Sequence, residues 1–393
     1  MSTTSRSSLL FVCPSLVGAG VERRVCTLVR QLKNSNFNLT LGLLRRQGEF
    51  LAEMAYFDLL YVPPKRILRV VLFPLVRFYN VYNFLLALYQ IKSMLATRPT
   101  VVVTFTLETT LPMYILTRFG VSKRFCWVIS EDSNTAKSII EYCKFKWLIK
   151  LVSALVGGAY RSADYITTVS SSVERSVIEQ YRVDKNNVNT IHNPIELETV
   201  RRNSVDTLNP QYETDYVLAV GRLVPVKQFD MLIRAFSQLR TKRKIDLIIL
   251  GDGPEKLKLE QLVNDLGLTQ HVYLLGFVGN PWVYMARARL LVVCSRIEGF
   301  ANVIVEAMAV GCPVLATRCG GPEDIIKNGQ NGVLVETNCG ALVDGINGLL
   351  NDPCRCKTLA ESAQLSCQQY EPKRIGQSFG KMLEDLLPRN NCF

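Results

Sequence analysis

The chain has 393 residues, 48% of them hydrophobic and 20% charged, which excludes a disordered or fibrous polymer and gives room for two domains of about 150–200 residues each. Its net charge of +12 is uneven: residues 1–200 carry 24 Lys and Arg against 14 Asp and Glu, residues 201–393 carry 22 against 20. The basic first half points to an anionic partner, and charge alone leaves open whether that is nucleic acid, a phospholipid surface or a phosphorylated substrate.

Leu9–Cys13 is a short apolar run ending at Pro14, followed by a helical pattern over 21–32 with Val25, Leu28, Val29 and Leu32 on one face. At five residues the run is shorter than the roughly 7–15 of a signal-peptide core, so a cytoplasmic location is expected. Further runs at 39–44, 101–105, 125–129 and 165–169 are spaced for crossover helices, which predicts a parallel, doubly wound sheet. The polar stretch 193–212 reads as a boundary, after which the rhythm restarts at 216–220 and continues at 246–250, 272–275, 290–294, 313–316 and 332–335. The expected architecture is α/β, with a first domain over 1–200 and a second over 201–393. A closing helix within 368–393 can pack back on the first.

Only two histidines, His192 and His271, occur, far apart, and both read as structural; multi-histidine metal sites are excluded. The twelve cysteines are scattered without a Cys-x-x-Cys pair and read as free thiols. Residues 59–107 carry Lys65, Arg66, Arg69, Arg77, Lys92 and Arg98 without one acid, interleaved with aromatic and aliphatic residues. Pro74, Arg77, Asn80 and Asn83 interrupt any membrane-spanning run. The stretch 144–160 repeats the character with Lys144, Lys146, Trp147 and Lys150. Docking on an anionic leaflet is the expectation, against the plainer alternative of helices covering a sheet; nucleic acid is not expected, because the basic stretches lack stacking-groove patterning.

The chemistry concentrates in the second half. Glu298 and Glu306, eight residues apart, follow the run 290–294, with Gly299-Phe300-Ala301-Asn302 between them. If Ala301 opens a helix, Glu298 sits at its N-terminus, where backbone N–H groups make an anion site, and Glu306 lies within its first two turns. Val220-Gly221-Arg222-Leu223 and Lys227 close the first strand of that half, and two cations at a strand-to-helix turn suit a diphosphate. In the first half Gly18-Ala19-Gly20-Val21-Glu22-Arg23 lacks the third glycine of the dinucleotide fingerprint, yet Gly20 allows close backbone approach to a ligand.

These motifs, GRLVPVKQFD, EGFANVIVE, AVGCPVLATRCGGPEDII and LGDGPE, together with AGVER, ADYITTVSSSV and IHNPIE, resemble the retaining glycosyltransferases of family 4. The resemblance implies a GT-B fold, two Rossmann-like domains facing each other across a cleft. It implies transfer of a hexose or N-acetylhexosamine from a nucleotide diphosphate sugar, with UDP as the family-level expectation, and no metal or other cofactor. Arg222 and Lys227 would neutralise the diphosphate, Glu306 would hold ribose hydroxyls, and Glu298 with the backbone of Gly299, Phe300, Ala301 and Asn302 would orient the sugar. Phe277 and Val278 would edge the base, and Gly20 would approach the phosphates or acceptor. Many members carry a histidine where this chain has Ser130-Glu131-Asp132, which makes Glu131 and Asp132 the acceptor-side candidates. The expected acceptor is a lipid-linked or cell-surface glycan met at the inner face of the membrane; a nucleotide-sugar epimerase and a non-catalytic membrane-bound module are the alternatives.

Overall fold

The computed structural model describes residues 6–17, 20–63, 79–121, 124–135, 139, 145–206, 215–239 and 245–387. Most of the basic run at 64–78, with Lys144 and the glycine-loop residues Gly18 and Ala19, lies outside the described residues. The chain forms two compact units, Met1–Pro194 together with Pro372–Phe393, and Ile195–Glu371.

The first unit alternates strand and helix as β1 (Ser7–Cys13), α1 (Gly20–Leu32), β2 (Phe37–Leu43), β3 (Asp58–Tyr61), α2 (Tyr79–Leu95), β4 (Val101–Phe105), α3 (Leu107–Phe119), β5 (Cys126–Glu131), α4 (Lys146–Ser162), β6 (Tyr165–Thr168), α5 (Ser171–Tyr181) and β7 (Val188–Thr190). Its seven strands are parallel, in the order β3-β2-β1-β4-β5-β6-β7. Central strands such as β4, Val-Val-Val-Thr-Phe, are buried throughout, as a sheet covered on both faces requires. The edge strand β7, Val-Asn-Thr, is too short and too polar to stand out as an apolar run, and β3, Asp-Leu-Leu-Tyr, is only four residues long and merges with the start of the basic stretch 59–107. The fifth strand extends past Ile129 to include Ser130 and Glu131, so Glu131 is a strand residue rather than a loop residue.

The second unit continues with α6 (Leu197–Asn203), β8 (Tyr216–Val220), α7 (Phe229–Phe236), β9 (Asp246–Leu250), α8 (Lys256–Asp265), β10 (Val272–Gly276), α9 (Trp282–Arg287), β11 (Leu290–Val293), α10 (Asn302–Ala309), β12 (Val314–Thr317), α11 (Gly321–Ile325), β13 (Val333–Val335), α12 (Cys339–Leu350) and α13 (Pro353–Ser366). Its six strands are again parallel, ordered β10-β9-β8-β11-β12-β13. Both sheets are therefore doubly wound, each with one point where the strand order reverses: β1/β4 in the first unit, β8/β11 in the second.

The closing helix α14 (Pro372–Leu386) belongs with the first unit, so the division falls at two places instead of one. Its buried residues Ile375, Phe379, Met382, Leu383 and Leu386 recur at helical spacing and join the core cluster of β1 and α1. Phe379 meets Phe11 of β1 edge-on, ring centroids 6.0 Å apart. At Gly376 an added Cβ would lie 2.4 Å from the Cβ of Gln31, so glycine is what lets α14 approach α1. Phe379→Ala is expected to destabilise the first unit by about 3–5 kcal/mol, read as a lowered urea midpoint; an unchanged midpoint would show that α14 is dispensable to that core.

Candidate active site

In a parallel sheet every strand delivers its following loop to the same edge, and ligands bind there, where the order reverses. In the second unit that point lies between β8 and β11. Lys227 arrives after β8 on a short 3₁₀ turn, Pro225–Lys227, and Glu298 arrives on the loop after β11. Their side chains form an ion pair, Lys227 Nζ to Glu298 Oε1, with side-chain exposures of 25% and 12%. Ser295 Oγ donates to the same carboxylate oxygen at 2.7 Å. Nothing in the sequence pattern had singled out Ser295; its only signal is its position directly after the apolar run of β11.

The backbones of the two loops are also tied. Arg296 N donates to Val226 O at 2.8 Å, and the Cys294 thiol donates to Lys227 O at 3.0 Å. Burial raises the Cys294 thiol far above its ordinary range, so it acts as a neutral donor. Arg222 sits exposed in the same loop, five residues before Lys227, and the Gly-Asp-Gly-Pro loop after β9 is wedged against it. A Cβ at Gly251 would stand 1.9 Å from Gly221 O, and one at Gly253 2.4 Å from Leu223 O, while Leu223 N donates to Asp252 O at 2.9 Å. The loop after β12 supports Glu298 in the same way. Glu298 N donates to Cys319 O at 3.1 Å and Gly321 N to Glu298 O at 3.0 Å, and a Cβ on Gly321 would be 2.6 Å from Gly299 O.

Helix α10 starts at Asn302, one residue later than expected. Its cap is Ala301, at φ 67° with no side chain able to cap the helix. An alanine in the left-handed region costs about 1–2 kcal/mol, and the first-turn N–H groups face the loop that carries Glu298. The Phe300 side chain turns into the core against Tyr370, centroids 5.3 Å apart, leaving only its backbone at the edge. Glu306 is buried on α10, 4% exposed. After β10, Phe277 stands 75% exposed with Val278 beside it, and Gly276 accepts from Gly251 N at 2.7 Å. Lys227 and Glu298 thus meet directly, while Arg222, Phe277, Val278 and Gly299–Asn302 share their edge.

The first unit has its own edge cluster. Gly20 is the exposed opening residue of α1. Glu131, at the end of β5, is buried and fully engaged: Tyr160 OH donates to it, as do Thr135 Oγ1 at 2.7 Å and Ser133 Oγ at 3.2 Å. Burial pushes its carboxyl upward, and the Tyr160 and Thr135 hydrogen bonds oppose that. Asp132 pairs with the fully buried Arg24 at 2.6 Å, whose other nitrogen donates to Ile191 O at 3.1 Å. Arg45 and Glu108 form a forked pair beside a cavity of about 300 Å³ lined also by Tyr61, Tyr82 and Gln90.

The family described as Glycosyl transferases group 1 matches residues 201–366, and Glycosyltransferase Family 4 matches residues 18–199. The chain belongs to this glycosyltransferase family. It is 29% identical over 267 residues to a Campylobacter jejuni enzyme, N-acetylgalactosamine-N,N'-diacetylbacillosaminyl-diphospho-undecaprenol 4-alpha-N-acetylgalactosaminyltransferase, covering 67% of this chain and 71% of that one. It is 28% identical over 239 residues to the Bacillus anthracis N-acetyl-alpha-D-glucosaminyl L-malate synthase, covering 59% of this chain and 62% of that one. Among solved structures, Anabaena Alr3699/HepE in complex with UDP and glucose superposes with a TM-score of 0.74 at 21% identity, covering 96% of this chain and all of that one. The two doubly wound units are therefore those of a GT-B glycosyltransferase.

Two substitutions test the geometry. Gly321→Ala forces the Glu298 loop aside, so glycosyl transfer should fall at least tenfold while the protein remains folded; wild-type rates would show that the loop contact is incidental. Asp132→Asn leaves the Arg24 guanidinium buried without its countercharge, and unfolding by urea should show a loss of about 3–5 kcal/mol; a loss below about 1 kcal/mol would mean the pair is effectively solvated.

Proposed function

We propose that this glycosyltransferase moves a hexose or N-acetylhexosamine from a UDP-sugar, with retention at the anomeric carbon, onto a lipid-linked or cell-surface glycan at the inner face of the membrane. The observation that carries the donor assignment is the Lys227–Glu298 pair at the β8/β11 reversal, with Arg222 in the same loop as Lys227. A diphosphate arriving there meets two cations, and Lys227 exchanges a carboxylate partner for phosphate oxygens. The leaving group is stabilised where its charge develops, in place of a metal ion. Glu298, with the N–H groups of Gly299–Asn302, then faces the sugar hydroxyls. Glu306 takes the ribose and Phe277 with Val278 takes the base.

The buried, already bonded carboxyl of Glu131 and the ion-paired Asp132 leave no ready base among the two acceptor-side candidates. In this reading the departing phosphate accepts the acceptor's proton on the face where the new bond forms, which is the retaining outcome. The undecaprenol-linked acceptor in the Campylobacter relative's name supports a lipid carrier, and the excess of cations in residues 1–200 supports an anionic leaflet as the surface on which it is met.

Calorimetric titration with UDP and NMR of the first anomer released from UDP-glucose and UDP-N-acetylglucosamine test the reading together. Removing one charge-assisted contact costs about 1.5–3 kcal/mol, so Lys227→Met should bind UDP about 10- to 100-fold more weakly, and Glu306→Gln should weaken it as well. The first-formed anomer should be α from these α-linked donors. UDP affinity unchanged in Lys227→Met would overturn the donor site, and a β product would overturn retention.

A further inference from the structure

Among the described residues no helix is long and apolar enough to cross a membrane. Helix α4 nevertheless has an unusual distribution of apolar residues. Its second half is docked through small residues: a Cβ at Gly158 would meet Tyr114 OH of α3 at 2.5 Å, one at Gly157 would meet Tyr181 of α5 at 3.1 Å, and Val156, Ala159 and Tyr160 are buried. Its first half carries large residues that face outward. Trp147 is 66% exposed, the capping residue Phe145 61% and Leu151 50%. Trp147 and Leu151 are one helical turn apart, so they form a single ridge, with Lys146 and Lys150 exposed along it. No acidic residue occurs from Tyr142 to Ala163.

The ridge also has a definite place on the first unit. Asp164, just past α4, donates its N–H to Trp127 O at 2.9 Å near the start of β5, while Tyr160 reaches Glu131 at the end of that strand. The helix therefore runs antiparallel to β5. Seventeen residues span about 25 Å against about 20 Å for a six-residue strand, which sets the Phe145–Leu151 end at or beyond the level of Glu131. That is the edge to which Gly20, Glu131 and Asp132 belong.

We propose that the first two turns of α4 seat the protein on an anionic phospholipid leaflet, with Phe145, Trp147 and Leu151 in the acyl boundary and Lys146 and Lys150 on the headgroup phosphates. This rests on the lipid-acceptor reading for its purpose and gives it a surface. The three apolar side chains expose on the order of 400 Å², about half of what a stable protein interface buries per partner. Lysine is depleted from such interfaces, whereas its long apolar stem and mobile ammonium fit the boundary between acyl chains and headgroups. Docked this way, the substrate edge of the first unit faces the lipid.

The test is co-flotation of the full chain with vesicles of neutral phosphatidylcholine or of phosphatidylcholine with one-third phosphatidylglycerol, free of any lipid-linked sugar, so that its result is independent of whether transfer is found. Wild type should partition at least tenfold more strongly onto the anionic vesicles. Of the three tryptophans Trp127 is fully buried and Trp282 is half-buried in the second unit, so the blue shift in emission and the quenching by brominated acyl chains that Trp147 contributes should be lost in Trp147→Phe. Lys146→Gln with Lys150→Gln should cut anionic partitioning about tenfold or more, and Trp147→Glu with Leu151→Glu should abolish it, with melting temperatures within a few degrees of wild type. Equal partitioning onto both vesicle types, no partitioning, or wild-type partitioning by the glutamate variant would overturn the proposal. So would a Trp147-dependent dimer in sedimentation, which would assign the ridge to a second copy.

Discussion

The ion pair between Lys227 and Glu298 is the interaction around which the second unit's edge is organised. It joins the loops of the two strands at which the sheet reverses, and it is incompletely buried, so it is a poor source of stability: partly exposed pairs contribute at most about 1 kcal/mol. The surroundings nevertheless hold it closely, through Ser295 on the carboxylate, Arg296 N on Val226 O and the Cys294 thiol on Lys227 O. Such expense of hydrogen bonds on a weak pair makes sense for charges that must be in position before a ligand arrives and must be free to exchange partners when it does.

The same logic accounts for where the backbone is strained. Among the described residues five other than glycine have positive φ, and three of them, Thr106, Gln228 and Ala301, cap the helices that follow β4, β8 and β11. Three of the four reversal strands thus hand over to a helix through a left-handed residue. The loops behind them are wedged by Gly251, Gly253 and Gly321, where no side chain fits. The buried strands supply the stability that tolerates this strain, and the precision of the edge follows from their rigidity.

Central strands were legible in the sequence because burial on both faces makes them continuous apolar runs, and Lys227 and Glu298, which meet at one edge, stood out as charged residues near glycines just past the ends of two such runs. Other features were hidden for physical reasons. The edge strand β7 has too little burial to be apolar, and the apolar residues of β3 run on into the basic stretch that follows it. The role of Ser295 depends on a loop 68 residues away in sequence, counted from Lys227, which no local pattern records. The sequence expected the backbone of Phe300 at the edge; that its ring turns inward against Tyr370 is what the sequence did not record. Glu131 lies past the apolar run 125–129 that the sequence shows, yet it is the last, buried residue of the strand, its carboxyl satisfied by Tyr160, Thr135 and Ser133.

That last difference bears on the charge of the first half. Arg24 and Asp132 cancel as a buried pair, Arg45 and Glu108 as a partly exposed one, and Glu131 is buried. Pairing leaves the balance of residues 1–200, 24 cations against 14 acids, unchanged, but Glu131 and Asp132 add almost no carboxylate to the surface on which the remaining cations stand. Acids near the β1/β4 reversal are drawn inward to fix the edge, and cations such as Lys146 and Lys150 are left outside beside exposed aromatic rings. Fixing the edge internally and presenting positive charge externally are therefore one arrangement of the same side chains, and removing an internal acid would alter both the edge and the potential that surrounds it.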